Sequence, residues 1–343
     1  MDVSEKLRND ISNLFPGYFA LVMSTGIIGI SSRIAGLINI SKVLFYINII
    51  SFIVLLILYV YRFLRYFSEM KNDFLNYEKS PGFLTIVAGA GVFGVQIIMS
   101  VKDFSSAEFL WLFAITMWFI LMMSFFVFVI TSTKRPEIGS GLNGIWLLLV
   151  VSTQAIAILG NELSGNLSGG RNALLTFDLL LFLLGCSLYL IIITLIFYRL
   201  VFFSLKPEET NHTYWIDTGA AAISVISGFT FIEKAPSTDT FSGLMPFVKG
   251  AVLMLWITAT WWIPLIVVIE IWRYFVKKVQ IKYSPVQWSM IFALGTYSFA
   301  TLKTGQFISM PTITAAGKVF LFLALILWLL TFSGLVFSIL KKE

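Results

Sequence analysis

The chain has 343 residues, of which 58% are hydrophobic and only 12% charged, with a mean hydropathy of +0.90. A soluble domain carries about 25% charged residues, so there is too little polar surface here to cover a globule, and an ordinary soluble protein is excluded. The 24 Lys and Arg against 18 Asp and Glu leave a net +6; in so apolar a chain the excess is assigned to the flanks of membrane spans and not to nucleic-acid binding.

Met1–Phe15 is polar and mixed in charge, without a signal-peptide pattern, and reads as a cytoplasmic segment before the first span. From there the apolar runs predict ten transmembrane helices, over 16–38, 43–64, 82–101, 109–131, 142–160, 173–198, 215–233, 247–270, 286–302 and 313–339. The runs are long and do not alternate, which argues against a barrel. Connections are short, so residues 1–343 read as one transmembrane transport domain. With both termini cytoplasmic, the 24 Lys and Arg divide sixteen inside to eight outside, the direction of the positive-inside rule. The expected location is the cell membrane.

The odd-numbered spans open alike: Pro16-Gly17-Tyr18-Phe19, Pro81-Gly82-Phe83, Asn143-Gly144-Ile145-Trp146, Thr218-Gly219 and Pro285-Val286-Gln287-Trp288. These openings lie 65, 62, 75 and 67 residues apart, a repeat of one helical hairpin. Odd spans also carry small and hydroxyl residues at mid-depth, as in Met23-Ser24-Thr25-Gly26, Ala88-Gly89-Ala90-Gly91, Ser152-Thr153-Gln154, Ser224–Gly228 and Gly295–Ser298. Even spans are bulkier and uniformly apolar. Gly, Ser and Thr either let helices pack closely or line a polar path. The fold class expected is all-α integral membrane: five hairpins, with an inner ring of odd helices around a central pore and an outer ring of even ones.

Three stretches carry a resemblance. Pro16–Gly26 (PGYFALVMSTG), Asn143–Gln154 and Trp288–Leu302 (WSMIFALGTYSFATL) resemble the first, fifth and ninth helices of the tellurite-resistance/dicarboxylate transporter family. That family includes malate carriers, sulfite exporters, tellurite-resistance proteins and plant slow anion channels. The resemblance implies ten helices around a pore, a homotrimer with one pore per subunit, and a phenylalanine of the ninth helix that occludes the pore. Phe292 is the matching residue. Ala293 follows it where many members carry proline.

An anion in the bilayer needs compensation for lost hydration, and hydroxyls, amides and helix ends provide it more weakly than a fixed cation, which suits release. Ser24, Thr25, Gly26, Gly89, Ser152, Thr153, Gln154, Ser227, Gly228, Thr296 and Ser298 are the candidate path residues; the competing role for each hydroxyl is a bond to its own helix. Pro16, Gly17, Pro81, Gly82 and Pro285 are candidate helix kinks. Asp178, among Leu and Phe in the sixth span, either carries a proton or ties to Arg171 or an outer-ring neighbour. Arg33 and Lys303 either form an outer vestibule or snorkel to headgroups. Asp217 and Glu270 are placed near span ends, in reach of interfacial water, and His212 in a solvated loop beside Glu208 and Glu209.

One Cys (Cys186) and one His argue against disulfides, metal sites and cofactors. The scarcity of clustered His, Asp, Glu and Cys also argues against the remaining rival, an integral-membrane enzyme. The expected activity is transport of anions, C4-dicarboxylates such as malate first. The alternative is a passive channel or exporter for small inorganic anions such as chloride, nitrate or sulfite.

Overall fold

The computed structural model describes residues 3–167, 169–204, 206–207, 209–235 and 239–340, so Glu208 lies outside the described residues. Among them are ten helices of fifteen residues or more and no strand. In chain order these are α1 (Ala20–Ile34), α2 (Ile38–Arg65), α3 (Thr85–Val101), α4 (Phe104–Thr131), α5 (Leu148–Ser164), α6 (Arg171–Phe202), α7 (Trp215–Lys234), α8 (Met245–Ile271), α9 (Gln287–Phe307) and α10 (Pro311–Leu340). Eight of them, α2 to α8 and α10, are long and apolar enough to cross a membrane. α1 and α9 fall outside that set; α1 has only fifteen residues, about 22 Å of helix.

Burial divides the helices into two kinds. Over their most apolar stretches α3, α5 and α7 are 78%, 94% and 94% buried, against values between 17% and 44% for α2, α4, α6, α8 and α10. α1 and α9 are buried along nearly their whole length. The five buried helices are neighbours in a closed cycle, α1 to α3 to α5 to α7 to α9 and back to α1, and each of the others packs on the buried helix before it while touching the next one.

Polar groups inside such an assembly must find partners within it. Each outer helix bonds to the buried helix of the following hairpin. Trp118 of α4 donates its indole N–H to Thr153 of α5 (2.9 Å), Trp256 of α8 to Thr301 of α9 (3.1 Å), and Trp328 of α10 to Thr25 of α1 (2.9 Å). At the other two junctions the Asn48 amide donates to Gln96 (2.8 Å) and the Tyr189 hydroxyl to the Asp217 carbonyl (3.3 Å). Between buried helices, missing side chains set the approach: a Cβ on Gly91 would stand 2.9 Å from the Ala155 carbonyl oxygen, and one on Gly295 2.9 Å from Ile27 and Ile28.

The lead-in turns of the buried helices gather on one face. They are the turn at residues 16–19, the 3₁₀ segments Ser80–Leu84, Gly144–Leu147 and His212–Tyr214, and the turn at Pro285. Asn143 and Asn211 cap alike, each side chain accepting from the backbone N–H two residues on. The fourth repeat therefore opens at Asn211, not at Thr218-Gly219, which lies inside α7; the cue is Asn211-His212-Thr213-Tyr214, a second Asn-led turn. Pro16, Gly17, Pro81, Gly82 and Pro285 also sit in these turns. They start α1, α3 and α9 and do not kink them, because a proline ahead of a helix costs none of its backbone bonds. The ring of turns closes where the Tyr18 and Tyr283 hydroxyls meet (3.2 Å) and Trp288 donates to Tyr283 (3.2 Å).

A Cβ on Gly144 would overlap the backbone carbonyl of Thr213 in the adjoining turn, whereas one on Gly250, on α8, would meet nothing within 4 Å. Gly144→Ala is expected to cost about 1–3 kcal/mol, and Gly250→Ala to stabilise by about 0.5–1 kcal/mol through helix propensity. Thermal unfolding of the two purified variants in detergent, followed by tryptophan fluorescence, checks both signs.

Candidate functional site

The five buried helices enclose a cavity on their common axis. All five contribute: Ile27 and Ile30 from α1, Gly91, Val92 and Val95 from α3, Ala155 and Ile158 from α5, Ile223 and Ile226 from α7, and Phe299 from α9. The cavity measures about 10 Å³, room for about one water. No charged or hydroxyl side chain lines it.

Each of the five helices contributes one of Ile27, Val95, Ile158, Ile226 and Phe299 to this lining. Seven residues earlier is two helical turns, nearly the same helix face, and about 10 Å nearer the face that carries the turns. The residues there are Ala20, Ala88, Val151, Gly219 and Phe292, all buried. Phe292 is the one large aromatic among these five. Phe292 rests on Gly219, where a Cβ would stand 3.4 Å from its ring and 3.1 Å from the Ala293 methyl.

The hydroxyls expected on the path are engaged elsewhere. Ser24 donates to the Ala20 carbonyl (2.8 Å), Ser152 to Leu149 (3.2 Å) and Thr296 to Phe292 (2.6 Å), all within their own helices. Thr25 and Thr153 are turned outward to Trp328 and Trp118. Gln154 donates to the Phe182 carbonyl of α6 (3.1 Å), and Ser298 to Gly317 of α10 (2.9 Å). Among these hydroxyls Ser227 alone, fully buried, has no hydrogen-bond partner among the described residues. Gly26, Gly89 and Gly228 are contact points: their missing side chains accommodate Val92 and Asn48, Phe19 and Val22, and Val252 and Phe182.

Asp178 is fully buried over Gly160 of α5, and neither carboxyl oxygen has a hydrogen-bond partner among the described residues. The tie to Arg171 is absent, because Arg171 donates to the Lys234 carbonyl (2.8 Å). Asp217 is likewise buried with both oxygens unpartnered, so interfacial water does not reach it. Lys303 is neutralised by Glu233 (2.6 Å), and Lys234 by Glu162 (2.8 Å), while Arg33 has no ion pair among the described residues. His212 is buried, not solvated; its Nδ1 lies 2.9 Å from Glu270, its Nε2 3.1 Å from the Tyr274 hydroxyl, and Trp215 donates to the same Glu270 (3.3 Å). Among the described residues no cluster of His, Cys, Asp and Glu could hold a metal.

Residues 13–336 match the voltage-dependent anion channel family. The chain belongs to that family. It is 25% identical to an uncharacterised transporter of Methanocaldococcus jannaschii over 337 residues, covering 95% of this chain and 94% of that protein. It is 24% identical to a sulfite efflux pump of Trichophyton rubrum, covering 97% and 92%, and 33% identical to an uncharacterised membrane protein of Mycobacterium tuberculosis over 147 residues, 42% and 73%. Membership in an anion-channel and transporter family, together with the apolar helices, makes this a multi-pass membrane protein of anion transport.

For a member of the anion channel family, the residues that sequence reasoning missed are the axial ones. Ile, Val and Ala are indistinguishable from ordinary core by type. Their signal is positional: Ile27, Val95, Ile158, Ile226 and Phe299 fall 11 to 15 residues after the openings at Pro16, Pro81, Asn143, Asn211 and Pro285. Thr25→Val, Thr153→Val and Thr301→Val each remove an acceptor that faces an outer tryptophan. Each is expected to cost about 1 kcal/mol of stability and to leave anion flux per folded molecule unchanged, which paired melting and liposome flux measurements check.

Proposed function

We propose that the chain conducts small inorganic anions, sulfite foremost, along the axis of its five buried helices, and that the Phe292 ring closes that path. The observation that carries this reading is the Phe292 ring, buried against Gly219 of α7 and two helical turns before Phe299, which lines the axial cavity. The apolar lining beyond it has no fixed charge to hold an ion, and a narrow apolar constriction stays closed by excluding water. Moving the ring lets water and a small anion enter together.

Sulfite is favoured over malate for two reasons. Full-length relatives are sulfite efflux pumps, and no pair of cations stands at the cavity to hold two carboxylates. A C4-dicarboxylate carrier is the second reading. Its supporting observation is Asp178, buried and unpartnered, a group able to carry a proton with the substrate. In either case ten membrane crossings in five hairpins, both termini in the cytoplasm and a trimer complete the proposal. The sixteen-to-eight split of cations supports the orientation.

Flux in proteoliposomes tests this, comparing sulfite, chloride, nitrate and malate with and without an imposed pH gradient. The expected result is gradient-independent movement of the small anions, raised on the order of tenfold by Phe292→Ala, about 1.4 kcal/mol of barrier. Unchanged flux in a well-folded Phe292→Ala protein removes the gate. Saturable malate uptake that follows the pH gradient and is lost in Asp178→Asn replaces the channel with a coupled carrier.

A further inference from the structure

A second cavity, near the turn face, is lateral and not axial. A cleft of about 510 Å³ opens between α8, the start of α9 and α10, within the range of small-ligand sites. Its walls are Val267, Ile271, Phe275, Met290, Leu327 and Leu330. Ile271, Phe275 and Leu330 are also exposed on the outer surface, so the cleft is continuous with the face that meets the bilayer.

One end of the cleft is polar and unequally charged. Its one acid, Glu270, is already engaged by His212 (2.9 Å), by Trp215 and, at 3.7 Å, by Arg273. Lys282 lines the same end. Lys277 and Lys278 precede it on the connection to α9; Lys277 lies over the Trp272 ring at 5.4 Å, and Lys278 is held at φ +55°. Lys277, Lys278 and Lys282 are exposed and take part in no ion pair among the described residues, unlike Lys79, Lys206, Lys234 and Lys303. An apolar slot open to lipid, with Lys282 in its lining and Lys277 and Lys278 exposed on the connection that leads to it, matches a ligand with a hydrocarbon tail and an anionic head. Basic pockets between membrane helices hold anionic headgroups for this reason.

We infer that this cleft is a binding site for one anionic phospholipid per subunit, its phosphate against Lys277, Lys278 and Lys282 and an acyl chain between α8 and α10. Met290, two residues before Phe292, forms part of the floor, so the lipid touches the helix that carries the proposed gate.

Native mass spectrometry of the full-length detergent-solubilised protein tests this, with phosphatidylglycerol and phosphatidylcholine of identical acyl chains as probes. Wild type is expected to retain one phosphatidylglycerol per subunit at least tenfold more tightly than phosphatidylcholine. Each lysine contributes roughly fivefold, so K277Q/K278Q/K282Q loses the preference and Lys42→Gln, an exposed cation on another helix, keeps it. Gly334→Phe, which places a ring in the slot, is expected to abolish retention of both lipids. Equal retention of the two lipids by wild type overturns the site, as does a preference that survives the triple variant, retention that survives Gly334→Phe, or a cleft occupied by a second copy of the chain.

Discussion

A helix enclosed by other helices inside a bilayer cannot be held by hydrophobic contrast, because lipid tails are as apolar as leucine. What holds the five buried helices is close packing together with hydrogen bonds to many of the polar groups they carry, Ser227 and the Asp217 carboxyl being exceptions among the described residues. The outer helices take part in those bonds. Each reaches past its own hairpin to the next buried helix, with an indole, an amide or a phenol, and the tenth reaches back to the first through Trp328 and Thr25. The hydrogen bonds run around the molecule in one direction and close it, so no hairpin is complete without its successor.

This arrangement decides what faces the axis. A threonine turned outward to accept a tryptophan N–H cannot also face the centre, and a serine bonded to the preceding turn of its own helix has spent its proton there. What lines the axial cavity is Ala, Val, Ile, Gly and one phenylalanine, Phe299. The path is therefore apolar as a consequence of how the ring is held. On the proposed axial path an anion would depend on water that enters with it and not on a ladder of protein ligands, and with no fixed cation in the lining the ion would not be trapped.

The helices and their alternate burial were legible in the sequence because span length and the contrast between small, hydroxyl-rich stretches and bulky ones are one-dimensional signals. The resemblance singled out Phe292, which lies buried against Gly219 of α7. Side-chain direction was not legible: Thr25 and Ser24 are adjacent, yet one serves α10 and the other its own helix. His212 was hidden for a similar reason. Its neighbours in sequence are polar, but the residues that bury it, Glu270 at the end of α8 and Tyr274 just beyond it, are some sixty positions away. Asp217 sits at a helix start, where water is the usual partner, and the packing of the turn ring excludes it.

Ala293 bears on how a gate at Phe292 would work. A proline there would remove the backbone N–H of residue 293 and bend the helix near the ring. With alanine, α9 runs unbroken from Gln287 to Phe307, and Thr296 adds a side-chain bond to the Phe292 carbonyl. Shifting the backbone of one buried helix would also break its outward bonds, Trp256 to Thr301 and Ser298 to Gly317. Rotating the ring about its own side-chain bonds breaks none of them. In the proposed gate the side chain is therefore the part that moves, and Gly219, which has no side chain against the ring, is its neighbour on α7.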